Sequence, residues 1–346
     1  MTARIGVTGV GWWATFNHIP VVQASGVAEI VALCDLDPQR LAIAGEKFGI
    51  TALYGDVDEM LARERLDGLI VSTPHVAHTQ PAIAGLRAGC HVLVEKPMAT
   101  TAADARAIAA VAKAAGREVM VPTALNFEGY TAAARRWVEE GRIGTVRHIV
   151  CQMGSPLHDL FAGEPMLETE SHLFRPLAST WSDPAKAGGY GWGQMSHSLA
   201  WLIYVTGLRL DSITAMTSLS RTGADLYDAA IARASNGATV SLSGASTVPK
   251  HRSMHMDIRI YGSEGMIVFD NERTRVELWR MDGVDEVAES AGRPVYDGAL
   301  PVAAFARLCA GEAVVNASNG DCGAEVTASL DALYRSAKTG KEEKVA

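Results

Sequence analysis

No two of the five cysteines (Cys34, Cys90, Cys151, Cys309, Cys322) fall in a Cys-x-x-Cys spacing, and five is an odd number. A disulfide framework and a structural zinc site are both unsupported, and the free thiols of a cytoplasmic protein are expected. There is no excess of basic residues either: 31 Lys plus Arg face 39 Asp plus Glu, a formal charge of -8. A nucleic-acid or membrane-surface binder would carry a basic stripe instead. No run approaches the ~18 unbroken apolar residues of a membrane span. Residues Met1 to Arg4 lead at once into a predicted strand, which leaves no room for a targeting peptide. Internal repeats and low-complexity tracts are missing, and no spacing of His, Cys, Asp or Glu has a metal-ligand pattern, so no metal is assigned.

The remainder describes an ordinary globular chain of 346 residues, 48% hydrophobic and 20% charged, long enough for two domains. Up to residue 124, short apolar runs alternate with helical patterns. Arg4–Thr8, Glu29–Cys34, Gly68–Ser72, His91–Glu95 and Glu118–Val121 read as buried strands; Thr79–Ala88 and Ala102–Ala115 read as helices. Such alternation predicts βαβ units and a doubly wound parallel sheet, with Gly49, Gly89 and Gly116 at helix ends.

After Asn126 the pattern changes. A helix over Tyr130–Glu140 and a strand near Val146–Met153 precede a long irregular stretch, 154–190, whose length marks it as functional. A helix from about Gln194 to Thr206 follows. Strands are then expected at Ile213–Leu219, Asp228–Ala234, Ala238–Ala245, Met254–Tyr261, Met266–Asp270 and Thr274–Arg280, with a hairpin at Asn236-Gly237. Two helices, Val302–Ala310 and Asp321–Lys338, close the chain. The fold class is therefore α/β: a Rossmann domain at 1–124, then an α+β domain at 125–346 with a large open, mainly antiparallel sheet.

Two motifs carry the chemistry. Gly9-Val10-Gly11-Trp12-Trp13-Ala14 follows the first strand, where it permits a tight turn and close backbone approach to a pyrophosphate on a helix N-terminus. Asp35 ends the second strand, where an acid accepts hydrogen bonds from a ribose and repels a 2′-phosphate; Leu36-Asp37-Pro38 supplies no cation. NAD is favoured over NADP. A plain turn cap for Asp37-Pro38 is the competing role for Asp35. The second motif, Glu95-Lys96-Pro97, puts a lysine just past a later strand, on the edge where such sheets keep their ligands.

Here the chain resembles the glucose–fructose oxidoreductase / inositol dehydrogenase / MocA family over nearly its whole length. The likeness rests on Gly9-Val10-Gly11, on Ser72-Thr73-Pro74-His75 with His78, and on Ala88-Gly89-Cys90-His91-Val92-Leu93-Val94-Glu95-Lys96-Pro97. It continues in Ile260-Tyr261-Gly262-Ser263-Glu264-Gly265 and in Asp331-Ala332-Leu333-Tyr334-Arg335-Ser336-Ala337. The resemblance implies cofactor contacts at Gly9, Gly11, Trp12, Trp13, Asp35, Ser72, Thr73, Pro74, His75, His78, Glu95, Lys96 and Asn126, and homo-oligomers formed through the second domain's sheet. It also implies a third motif, Gly-Gly-Gly-x-x-x-Asp-x-Gly-x-His. The matching stretch is Ala187-Gly188-Gly189-Tyr190-Gly191-Trp192-Gly193-Gln194-Met195-Ser196-His197, so His197 occupies the histidine position, Gly193 the aspartate position, and Met195 replaces a glycine.

Lys96 and His197 are thus the expected catalytic residues, the ammonium stabilising an alkoxide and the imidazole moving a proton. His158, Arg175, Trp181, Asp183, Trp192 and Gln194, with Lys96 and His197, are the expected substrate contacts: indoles for sugar faces, polar groups for hydroxyls. The function implied is an NAD-dependent dehydrogenase acting on a secondary alcohol of a sugar, cyclitol or glycoside. A redox-neutral NAD-dependent glycosidase of the same fold and a non-catalytic NAD sensor are the alternatives.

Overall fold

The computed structural model describes residues 2–290 and 292–346. The chain packs as two compact units, neither continuous. The first comprises residues up to Pro122 together with Pro165–Thr180 and Gly298–Ala324; the second comprises Thr123–Glu164, Trp181–Asp297 and Glu325–Ala346. Two later segments therefore return to the first unit, which a single cut after residue 124 does not describe.

The first unit is built on strands β1 (Ala3–Thr8), β2 (Ala28–Cys34), β3 (Ala52–Tyr54), β4 (Gly68–Val71), β5 (His91–Val94) and β6 (Val119–Met120). They pair in parallel in the order β3-β2-β1-β4-β5-β6. Ile5, Val7, Leu69, Ile70, Val71, Val92, Leu93 and Val94 are all fully buried, as a sheet covered on both faces requires. The strand order reverses between β1 and β4, and at such a switch point these folds bind their ligands. Helix ends are set locally. Asp37 accepts from the Gln39 and Arg40 amides to start Pro38–Phe48, and Gly49, left-handed at φ 71°, stops it. Thr101 and Gly116 do the same for Ala102–Ala115. The returning helix Ala299–Cys309 lies so close to β4 that a Cβ on Gly68 would come within 2.5 Å of the Cys309 sulfur.

The second unit holds β7 (Val146–Gly154), β8 (Leu210–Leu219), β9 (Asp225–Ala234), β10 (Thr239–Ala245), β11 (His255–Gly262), β12 (Gly265–Asp270), β13 (Arg275–Arg280), β14 (Glu286–Glu289) and β15 (Glu343–Lys344). The order is β14-β13-β12-β11-β7-β10-β9-β8-β15, antiparallel throughout except where β7 and β10 run parallel. Helices Gly129–Glu139 and Ser196–Thr206 supply the large core side chains Tyr130, Trp137 and Trp201. The opposite side of the sheet keeps Met216, Tyr227, Ile231 and Trp279 exposed.

Trp201 fixes this core. Its ring lies 4.4 Å from that of Phe269 at 9°, and its indole N–H donates to Thr131 Oγ1 at 2.9 Å. Trp201→Ala is expected to cost ~3–5 kcal/mol in chemical denaturation. Trp201→Phe keeps the ring contact and loses one hydrogen bond, while the Thr131 hydroxyl still donates to the Leu125 carbonyl at 2.7 Å, and should cost ~0.5–1.5 kcal/mol.

Candidate active site

In the first unit the dinucleotide turn is shaped by one close crossing. Gly9 has φ 84°, and a Cβ there would stand 2.5 Å from the Ser72 carbonyl carbon and 2.6 Å from the Thr73 nitrogen. Only glycine meets both demands. At Gly11, by contrast, an added Cβ would meet nothing within 4 Å. That open space lies at the N-terminus of the first helix, as a pyrophosphate needs, so the residues present fit a dinucleotide.

Asp35 serves the turn directly. Its carboxylate accepts from the Val10 amide at 2.9 Å and from the Asp37 amide at 2.9 Å, and lies 3.5 Å from Arg40. The cap role is thus real; Oδ1 faces both the Asp37 amide and Arg40, and Oδ2, with one amide, keeps a lone pair for a ribose hydroxyl.

The first helix opens with a wide π-type turn over Ala14–His18, closed by the Ile19 amide on the Ala14 carbonyl. Pro20, which has no N–H to donate, follows directly. His18 ends this turn fully buried, its Nε2 2.9 Å from Glu95 Oε1. The side chain makes no cap; it ties the first helix to the Glu95-Lys96-Pro97 loop. Burial pushes the Glu95 carboxyl up, but the His18 hydrogen bond and the charges of His18, Lys96 and His78 outweigh it and hold Glu95 below its ordinary range. Glu95 Oε2 also accepts the Lys96 amide at 3.1 Å. Lys96 itself is half-buried, and desolvation draws its ammonium down to about 8 against the opposing pull of Glu95.

His78 joins two loops, its ring nitrogens lying 2.8 Å from the Pro97 carbonyl and 2.9 Å from the Thr73 carbonyl. Burial lowers its pKa. His75 is buried beside it, Ser72 and Thr73 are half-buried, and Pro74 is exposed. Trp12 and Trp13 meet edge to face at 5.4 Å on the turn.

The second unit contains the third motif. Gly191–Met195 forms another π-type turn that runs directly into the helix bearing His197. Such turns concentrate at functional sites, and the simple helix expected from Gln194 begins instead at Ser196. The turn is gripped by two residues not anticipated from the sequence. Asp225 accepts from the Gly191 amide at 2.7 Å and from the Tyr334 hydroxyl at 2.8 Å, while Tyr334 Oη accepts the Trp192 amide at 3.0 Å. The advance signals were the glycine density and the place of Tyr334 in the closing stretch of the family likeness: a Cβ on Gly189 would fall on Asp225, and one on Gly191 would lie 2.6 Å from Tyr334 Oη.

Gly193 has a steric reason. A Cβ there would lie 2.6 Å from Phe161 Cε1 and 3.4 Å from Trp181 Cζ3. Phe161 fills the space of the motif's aspartate, so no carboxylate is accommodated. His197 and Gln194 are buried, the former edge-on to Tyr296 at 5.6 Å. Trp192 spends one face on Tyr334, stacked at 5.2 Å. Asp183 caps Pro184–Lys186, and His158 Nδ1 lies 3.5 Å from Ser246 Oγ. Asn126 also belongs here, donating to the Ala200 carbonyl at 3.1 Å. Arg175 lies in the first unit, exposed and paired with Glu170.

Residues 3–123 match the description "Oxidoreductase family, NAD-binding Rossmann fold", and residues 131–268 match the Gfo/Idh/MocA C-terminal domain. The chain belongs to the Gfo/Idh/MocA oxidoreductase family. Residues 3–123, all but the last of them within the first unit, are the family's NAD-binding Rossmann domain. A D-apiose dehydrogenase of Paraburkholderia graminis is 36% identical over 159 residues, covering 46% of this chain and 42% of that protein. The chain thus spans under half the length of this curated relative. The WlbA dehydrogenase of Bordetella pertussis, solved with NADH and UDP-GlcNAcA, is 25% identical with a TM-score of 0.76, covering 99% of each chain. Levoglucosan dehydrogenase, solved with NADH and levoglucosan, shares the fold at a TM-score of 0.78 and 19% identity, covering 100% of each chain.

The two glycines of the turn separate folding from binding. Gly9→Ala should destabilise the protein by ~2 kcal/mol or more, read from thermal unfolding, because positive φ and a backbone collision coincide. Gly11→Ala should leave the unfolding midpoint unchanged, yet weaken NADH binding by about tenfold or more in a fluorescence titration.

Proposed function

We propose that the protein is an NAD-dependent dehydrogenase that moves a hydride between the nicotinamide and a secondary alcohol of a sugar, cyclitol or glycoside. The observation that carries this reading is Lys96: an ammonium drawn down to about 8, beside a buried carboxylate, on the loop after β5 of an NAD-binding unit. The dehydrogenases named above act on, or were solved with, carbohydrates, which supports the substrate class. NAD when bound accepts the hydride from the carbinol carbon. Lys96 hydrogen-bonds the alcohol oxygen and stabilises the charge it gains as its proton leaves. His197 takes that proton, and returns it in the reverse direction. No carboxylate assists at position 193, so these two residues share the work. The five free thiols fit a cytoplasmic setting.

Lys96 acts charged, so the activity it supports is complete below about pH 8 and falls as pH rises through that value. A panel of aldoses, cyclitols and glycosides should yield NADH, with kcat/KM declining on the alkaline side of pH 8. Lys96→Arg should retain some activity and lose that decline; Lys96→Ala and His197→Ala should each cut kcat by ~100-fold or more while NADH affinity stays similar. Release of aglycone from nitrophenyl glycosides without net NADH would instead establish the redox-neutral glycosidase.

The exposed apolar residues of the open sheet, Met216, Tyr227 and Ile231, fit pairing with a second copy of the chain. Light scattering should report a dimer or tetramer, and Ile231→Asp should dissociate it without loss of fold.

A further inference from the structure

The returning segment Pro165–Thr180 packs within the NAD-binding unit, and its contacts fall on the cofactor residues themselves. His172 Nδ1 accepts the Trp12 indole N–H at 2.8 Å, with the two rings 19° from parallel. Phe16 stacks on the other partner in this cluster, its ring 4.1 Å from that of His172. Two residues on, Phe174 lies against the Arg40 guanidinium at 5.9 Å. Arg40 in turn pairs with Asp35 and Asp37. Trp12 belongs to the pyrophosphate turn, and Asp35 is the acid at the adenosine ribose position. The stretch from His172 to Phe174 is therefore fastened at both landmarks between which the adenosine diphosphate half of a dinucleotide runs.

We propose that Pro165–Thr180 is a strap across the cofactor site, and that NAD enters and leaves only when His172 releases Trp12 and Phe16. The fastenings are contacts of protein with protein, and on this proposal the same bonds break before entry and before exit. This distinguishes a strap from a wall of the site. Loss of a wall contact weakens affinity through faster release alone, whereas loss of a strap fastening speeds both directions and leaves the equilibrium nearly unchanged. The inference rests on the assignment of NAD to this unit and is independent of the sugar reading.

The test is stopped-flow fluorescence on the full-length protein, following NADH binding directly and its release by chase with excess NAD+, with no sugar present. His172→Ala is expected to raise the association and dissociation rates together, each by about tenfold, as loss of one ring stack and one hydrogen bond allows, with Kd within about threefold of the parent. His172→Phe keeps the stack on Phe16, loses the indole bond and should fall between. Phe174→Ala should act in the same sense from the Arg40 end. Thermal unfolding of each variant reports that the fold is intact. Rates within about twofold of the parent in all three variants would overturn the strap, as would faster release with an unchanged association rate. Failure of any sugar to reduce NAD would leave these rates untouched and would count against the proposed reaction alone.

Discussion

The site in the first unit depends on one close approach of backbone to backbone. Between β1 and β4, where the strand order reverses, the turn at Gly9 passes so near Ser72 and Thr73 that no side chain fits. This crossing orients the amides of the pyrophosphate turn and brings the loops after β4 and β5 beside it. His78 then ties those two loops through the Thr73 and Pro97 carbonyls. His18 ties the helix leaving the turn to Glu95. Lys96 is the residue that these restraints leave in place, with its charge set by burial on one side and Glu95 on the other.

A parallel logic operates in the second unit with different parts. Here the restraint is polar: Asp225 and Tyr334 satisfy two successive amides of a π-type turn that has too many glycines to hold itself. Burial first, then the neighbouring carboxyls of Asp225 and Asp228, push the Tyr334 phenol well above its ordinary value, so it remains a donor to Asp225. Each unit has a widened helical turn held by a buried acid: Glu95 meets His18 at the end of one, and Asp225 accepts the Gly191 amide of the other.

Much of this was legible in the chain. The apolar strand runs, the glycine helix ends and the Glu95-Lys96-Pro97 loop follow from local patterns that burial and backbone geometry enforce. Strand β3 escaped notice because three residues, Ala52-Leu53-Tyr54, are too few to show a period, and β14 and β15 are similarly short. The residues that fasten the site were harder to see for another reason. His18 and Glu95 are 77 positions apart, Tyr334 and Asp225 are 109, and Trp12 and His172 are 160. No periodicity encodes such pairings; only the folded chain brings them together. The division of 154–190 between two units is hidden for the same reason, since its composition is uniform while its partners are not.

Gly193 bears on how this site could change over generations. The Phe161 ring stands where a side chain at 193 would begin. A mutation that introduced aspartate alone would meet an aromatic wall, and one that shrank Phe161 alone would open a void in a packed interior. Each step is harmful without the other. Positions 161 and 193 are therefore coupled, and a neighbour outside the motif decides what position 193 can hold.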